Sequence, residues 1–111
     1  MVNESVVKII IKYLQAVENS GINVSFGVVF GSQVKGNNDE WSDIDLIVVS
    51  PKFDGTRNRQ DVTLLWKIAA RIDNRIEPIP CGEKQWQEDD VSIIIEIARR
   101  EGEHIDIPEA A

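Results

Sequence analysis

A small α/β domain, a mixed β-sheet with helices packed on it, is what this chain predicts, and two observations carry the prediction. Amphipathic stretches with a 3.6-residue rhythm alternate with short β-branched runs, in the order helix, strand, strand, helix, strand, helix, strand. A length of 111 residues leaves room for one hydrophobic core and little else, so a single domain spanning 1–111 is expected.

Each element follows from its residues. Val6, Val7, Ile10, Leu14 and Val17 recur at helical spacing over Glu4 to Asn19, with Asn3 placed as N-cap and Gly21 just past the end. Val24 to Phe30 is β-branched and aromatic and stops at Gly31-Ser32, a strand closing in a tight turn that opens a short helical turn through Lys35. A polar loop containing Gly36-Asn37-Asn38-Asp39 leads into a second strand, Asp43 to Val49, closed by Pro51. Ile47, Val48 and Val49 leave that strand no polar face, which predicts a central position. Lys52 to Asn58 has no period and reads as a mobile loop of the kind that covers a site. Gln60 to Asp73 repeats Val62, Leu65, Trp66, Ala69 and Ile72 as a second amphipathic helix. Arg75 to Pro80 is a short third strand. Pro78 has no N–H to give a ladder, so that strand belongs at an edge or carries a bulge. Val91, Ile94, Ile95 and Ala98 mark a final helix over Asp90 to Arg100, with Arg99 and Arg100 in its last turn and Gly102 at its C-cap; Glu103 to Ile107 adds a short last strand.

Composition narrows the function classes. The chain is 42% apolar and 28% charged, which fits a folded globular domain and argues against disorder. Val6 to Val17 is interrupted by Lys8, Lys12, Tyr13 and Gln15 and lacks a following cleavage site, so it is expected to be neither a signal peptide nor a membrane span. A lone cysteine, Cys81, and a lone histidine, His104, give neither an internal disulfide nor a zinc cluster, and point to the cytoplasm. A net charge of −7 repels a phosphate backbone, which argues against polymeric DNA or RNA as direct substrate.

Two features carry chemistry. Asp43 and Asp45 stand one residue apart on a strand, so both carboxylates point to one face while Ile44 and Leu46 point to the other. Two acids inside an apolar run repel unless a cation sits between them, and Mg²⁺, held by one or two carboxylates plus substrate phosphates, supplies one. The plainer alternative is that the aspartates cap the turn at the strand's start. Upstream, Gly31 permits close backbone approach, Ser32 offers a hydroxyl to a phosphate, and Lys35 can balance triphosphate charge; an ordinary strand-ending turn also accounts for Gly-Ser. Trp41 beside the motif suits either a loop anchor or a surface for stacking on a base, and Trp66 and Trp86 read as packing or interface residues.

Taken together, Phe30-Gly31-Ser32, Gly36 and Ser42-Asp43-Ile44-Asp45-Leu46 in this spacing resemble the signature of the DNA polymerase β-like nucleotidyltransferase superfamily. Within it the chain looks like the minimal nucleotidyltransferases, which include the antitoxin partners of HEPN-domain toxins. The resemblance implies a polymerase β-like nucleotidyltransferase core. Gly31 and Ser32 would hold the triphosphate, with Lys35 beside them, and Asp43 and Asp45 would bind two Mg²⁺ with a third acid from a later strand. Glu77 is the expected third acid and Asp73 the fallback; a surface glutamate paired with Arg75 is the other reading of Glu77. The implied activity is Mg²⁺-dependent transfer of a nucleoside monophosphate, AMP from ATP first of all, to a hydroxyl of a partner protein or a small molecule. The alternative is a non-catalytic antitoxin-type module that neutralises a partner by binding. Because the core uses the whole length, acceptor recognition is expected from a HEPN-type partner or a second copy of the chain.

Overall fold

A computed structural model describes residues 2–36, 39, 41–55 and 57–108. Four strands form one mixed sheet in the order β3-β2-β1-β4, from β1 (Phe26–Phe30), β2 (Ile44–Val49), β3 (Ile76–Cys81) and β4 (Glu103–Ile105). Strand β1 pairs antiparallel with β2 and β4, and β2 pairs parallel with β3. A parallel neighbour requires a crossover, and α3 (Arg59–Ile72) supplies it.

Helices cover both faces of this sheet. Helix α1 (Glu4–Asn19) and α3 bury Ile10, Tyr13, Leu14, Leu65 and Ala69 against Val29, Ile44, Leu46, Val48 and Ile76. Gly27 makes room for α1, since a Cβ there would lie 2.9 Å from a Leu14 methyl. The buried Tyr13 hydroxyl donates to the Leu65 carbonyl at 2.9 Å and ties the two helices together. On the opposite face, Ile95 and Ala98 of α5 (Ile93–Glu101) pack with Val28, Ile47, Val49 and Cys81. Trp86 of the short α4 (Glu83–Glu88) meets Phe26 edge-on at 5.9 Å on the same side.

Helix α1 has the bounds its periodicity predicts, with the Asn3 side chain accepting from the Ser5 amide at 2.8 Å. Strand β2 is internal and β3 lies at an edge, as the apolar run and Pro78 require. The Ile44 amide donates to the Arg75 carbonyl and the Ser50 amide to the Cys81 carbonyl. Odd-numbered β3 residues therefore face β2, and Pro78 and Pro80 turn their missing N–H groups to the free edge. An edge so built resists pairing with another strand.

Several expectations need correction. Helix α4 lies outside every predicted element: six residues are too few for a period, and none of them is fully buried. The last helix starts at Ile93 rather than Asp90, because Asp89 closes α4 and its carboxylate accepts from the Val91 and Ser92 amides in a turn. Val91 consequently lies outside the helix and is 86% exposed. Strand β1 begins at Phe26, not Val24, and β4 ends at Ile105. The loop after β2 opens with a 3₁₀ turn, Pro51–Phe53, anchored by the buried Phe53. Trp66 is half exposed because the buried stripe of α3 runs through Leu65, Ile68 and Ala69. Asn37, Asn38 and Glu40 of the polar loop lie outside the described residues.

Candidate functional site

The register of β2 against β3 brings distant acids together. Asp45 is the direct partner of Glu77 across the parallel pair, and on its other side faces Phe30 of β1. Partners in register point to the same face, which for Asp45 and Glu77 is the face of Ile47 and Cys81 that α5 covers further along. Asp43, one residue ahead of β2, is exposed, whereas Asp45 and Glu77 are half-buried. Burial holds the Glu77 carboxyl above its ordinary pKa, and the nearby Asp43 and Asp45 charges together with a side-chain hydrogen bond to Asp45 push it the same way. Glu77 therefore lies within electrostatic reach of both aspartates. Among the described residues, no three carboxylate, histidine or cysteine side chains already surround one point as a metal cage. Mg²⁺ does not require such a cage, since substrate phosphates and water complete its shell.

Fold geometry also joins the glycine turn to the acids. Gly31 has φ +77°, and a Cβ built on it would lie 2.6 Å from an Asp45 carboxylate oxygen. Only glycine permits both that dihedral and that approach. Behind it, α2 (Ser32–Lys35) is a single turn closed by Gly36, which has φ +79°. Ser32 is half-buried at its start and Lys35 exposed at its end. Gly31, Ser32, Asp45 and Glu77 are thus assembled on adjoining strand ends with Asp43 at the margin, while Lys35 projects from the far end of the turn.

The fallback acid serves the fold instead. Asp73 follows α3 and is bridged by Arg75 at 2.9 Å, which holds its carboxyl below the ordinary range. Arg75 is therefore engaged with Asp73. Trp41 is 80% exposed, so it anchors no loop, although its amide donates to the Asp39 carboxylate at 2.9 Å. Sequence reasoning passed over Gln33, whose side chain is 1% exposed inside the site's framework. The only signal was an amide in the turn between the glycine and the acids.

The sequence pattern of the nucleotidyltransferase domain family matches residues 7–107. The chain belongs to that family. Two solved structures show the nucleotidyltransferase fold to which its backbone conforms. One, from Sulfolobus solfataricus and assigned as a nucleotidyltransferase, is 23% identical with a TM-score of 0.56, over 73% of this chain and 70% of its own. The other, a toxin–antitoxin complex with AMP-PNP, is 17% identical with a TM-score of 0.59, over 89% of this chain and 74% of its own. No curated protein gives a significant match. No helix of this nucleotidyltransferase domain, among the described residues, is long and apolar enough to cross a membrane.

Proposed function

We propose that this nucleotidyltransferase domain moves AMP from ATP to a hydroxyl of a partner protein or a small molecule. The observation that carries the reading is the pairing of Asp45 with Glu77 directly beside the Gly31 turn. Phosphate oxygens would approach the Gly31 backbone and the Ser32 hydroxyl, and Lys35 would offset charge at the outer end. Asp43, Asp45 and Glu77 would hold two Mg²⁺, which when bound neutralise the triphosphate and activate the acceptor oxygen. The acceptor hydroxyl would release its proton to solvent and form a bond to the α-phosphorus as the bond to the α,β-bridging oxygen breaks and pyrophosphate leaves. The cluster suits cations because a bound cation would relieve the repulsion from Asp43 and Asp45 that adds to burial in raising the Glu77 pKa.

A second reading, neutralisation of a partner by binding alone, draws support from one surface. Val91, Ile93 and Ile94 are 86%, 71% and 47% exposed, next to the exposed acids Glu88, Asp90 and Glu96. An exposed apolar patch beside the acids Glu88 and Asp90 suits a partner protein with a complementary apolar and basic surface.

The test is incubation with labelled NTPs, Mg²⁺ and proteins encoded beside this one, with transfer and partner binding measured in parallel. Asp45→Asn is expected to abolish transfer. Ser32→Ala removes one charge-assisted hydrogen bond, about 1.5–3 kcal/mol, or roughly one to two orders of magnitude in rate. Full transfer by Asp45→Asn would sink the two-metal reading. Partner neutralisation retained in both variants, with no transfer by the parent, would establish binding alone.

A further inference from the structure

Gln33 and Ser50 are the buried polar side chains among the described residues. An amide withdrawn from water costs free energy unless its hydrogen bonds are replaced, so a buried glutamine in a four-residue helical turn reflects a specific arrangement. The Gln33 Nε2 donates to the Asp43 carbonyl at 3.1 Å and to the Ser42 carbonyl at 3.3 Å. Both carbonyls belong to the segment ahead of β2, whose first bond to β3 is made by the Ile44 amide to the Arg75 carbonyl. The chain that carries the exposed Asp43 carboxylate is therefore tied from α2.

We propose that Gln33 is a positioning residue, clamping the main chain of Asp43 to the Gly31-Ser32 turn so that acid and phosphate-binding elements keep one spacing. The inference rests on the proposed transfer site. It explains why the amide is buried where it is: Gln33 follows Ser32 directly, so a single side chain spans from the turn to the acidic strand. Gln33 acts through Asp43 and touches no substrate. A carboxylate of the same shape would face two carbonyl oxygens and repel them, and a thioether would fill the space without donating.

The decisive variant is Gln33→Met, which keeps the buried volume and removes both donors. The expected result is a kcat about 10-fold to 100-fold lower, since small displacements of catalytic groups cost that much, with KM for ATP within about twofold because Gly31 and Ser32 are untouched. Amide exchange read by NMR is expected to quicken at Ile44 and Asp45 and to stay unchanged at Ile47, Val48 and Val49. Unchanged kcat, or exchange quickened evenly across the sheet, would overturn the proposal, the second by showing a general packing role. Should the parent transfer nothing to any acceptor, the transferase reading fails; the exchange experiment then decides the clamp by itself, with local loosening supporting it and none refuting it.

Discussion

Gly31→Ala probes the closest approach in the site, and its cost can be worked from the backbone. Gly31 sits at φ +77° and ψ −144°, a region close to glycine-only, where a side chain costs on the order of 1–3 kcal/mol. The new methyl would also lie 2.6 Å from the Asp45 carboxylate, which must leave its rotamer at about 0.5–1.5 kcal/mol more. The sum, about 2–4 kcal/mol, corresponds to a fall in Tm of about 8–16 °C for a domain of this size. Strain and clash separate in a double-mutant cycle with Asp45→Ala. That change removes the offending oxygen and leaves the Asp45 Cβ, 3.9 Å from the built methyl, at ordinary contact distance. The cost of Gly31→Ala is then expected to shrink by the clash contribution alone, and denaturant unfolding of the four proteins measures the difference. A Gly31→Ala protein as stable as the parent would refute the strain argument, and strict additivity would refute the contact.

Glu77→Gln keeps a donor for Asp45 and removes a charge. Because the folded-state pKa of Glu77 is raised, the parent loses stability as pH climbs from 4.5 through the higher folded value; this decline is expected to be absent in the variant, as pH-dependent melting will show. Mg²⁺ or Mn²⁺ is expected to raise the Tm of the parent and to do so less in Asp43→Asn, because cations that relieve carboxylate repulsion stabilise only the folded state; equal melting throughout would count against a preformed cluster. Asp73, whose pKa is lowered by Arg75, stabilises the fold above pH 3.8 and loses this contribution as pH falls through its depressed value. Asp73→Asn is expected to cost about 1–2 kcal/mol at pH 7, with a gap that closes in acid unfolding curves. Cys81 is fully buried and its thiol pushed up to about 11, so alkylation at pH 8 is expected only after unfolding, and rapid labelling of the native protein would contradict its place behind α5.

Local features of the chain determined most of its elements: Asn3 and Gly21 bracket the first helix, Pro51 and Pro78 punctuate the strands, and the spacing of Gly31-Ser32 to Asp43-x-Asp45 marked two parts of the candidate site. Such signals are readable because caps, turns and periodicities act over a few residues. Tertiary structure decided what depends on partners far along the chain. Thirty-two positions separate Asp45 from Glu77, and only the β2–β3 register makes them neighbours. Gln33 has an unremarkable sequence context and becomes a clamp because the segment ahead of β2 folds back over α2. Val91 and Ile94 repeat like core residues, yet Val91 sits in the turn held by Asp89 ahead of α5, and the buried stripe of α5 runs through Ile95 and Ala98, which leaves Ile94 half exposed. Register, burial and helix phase are set by which surfaces meet, and a sequence period specifies a face without specifying what that face will pack against.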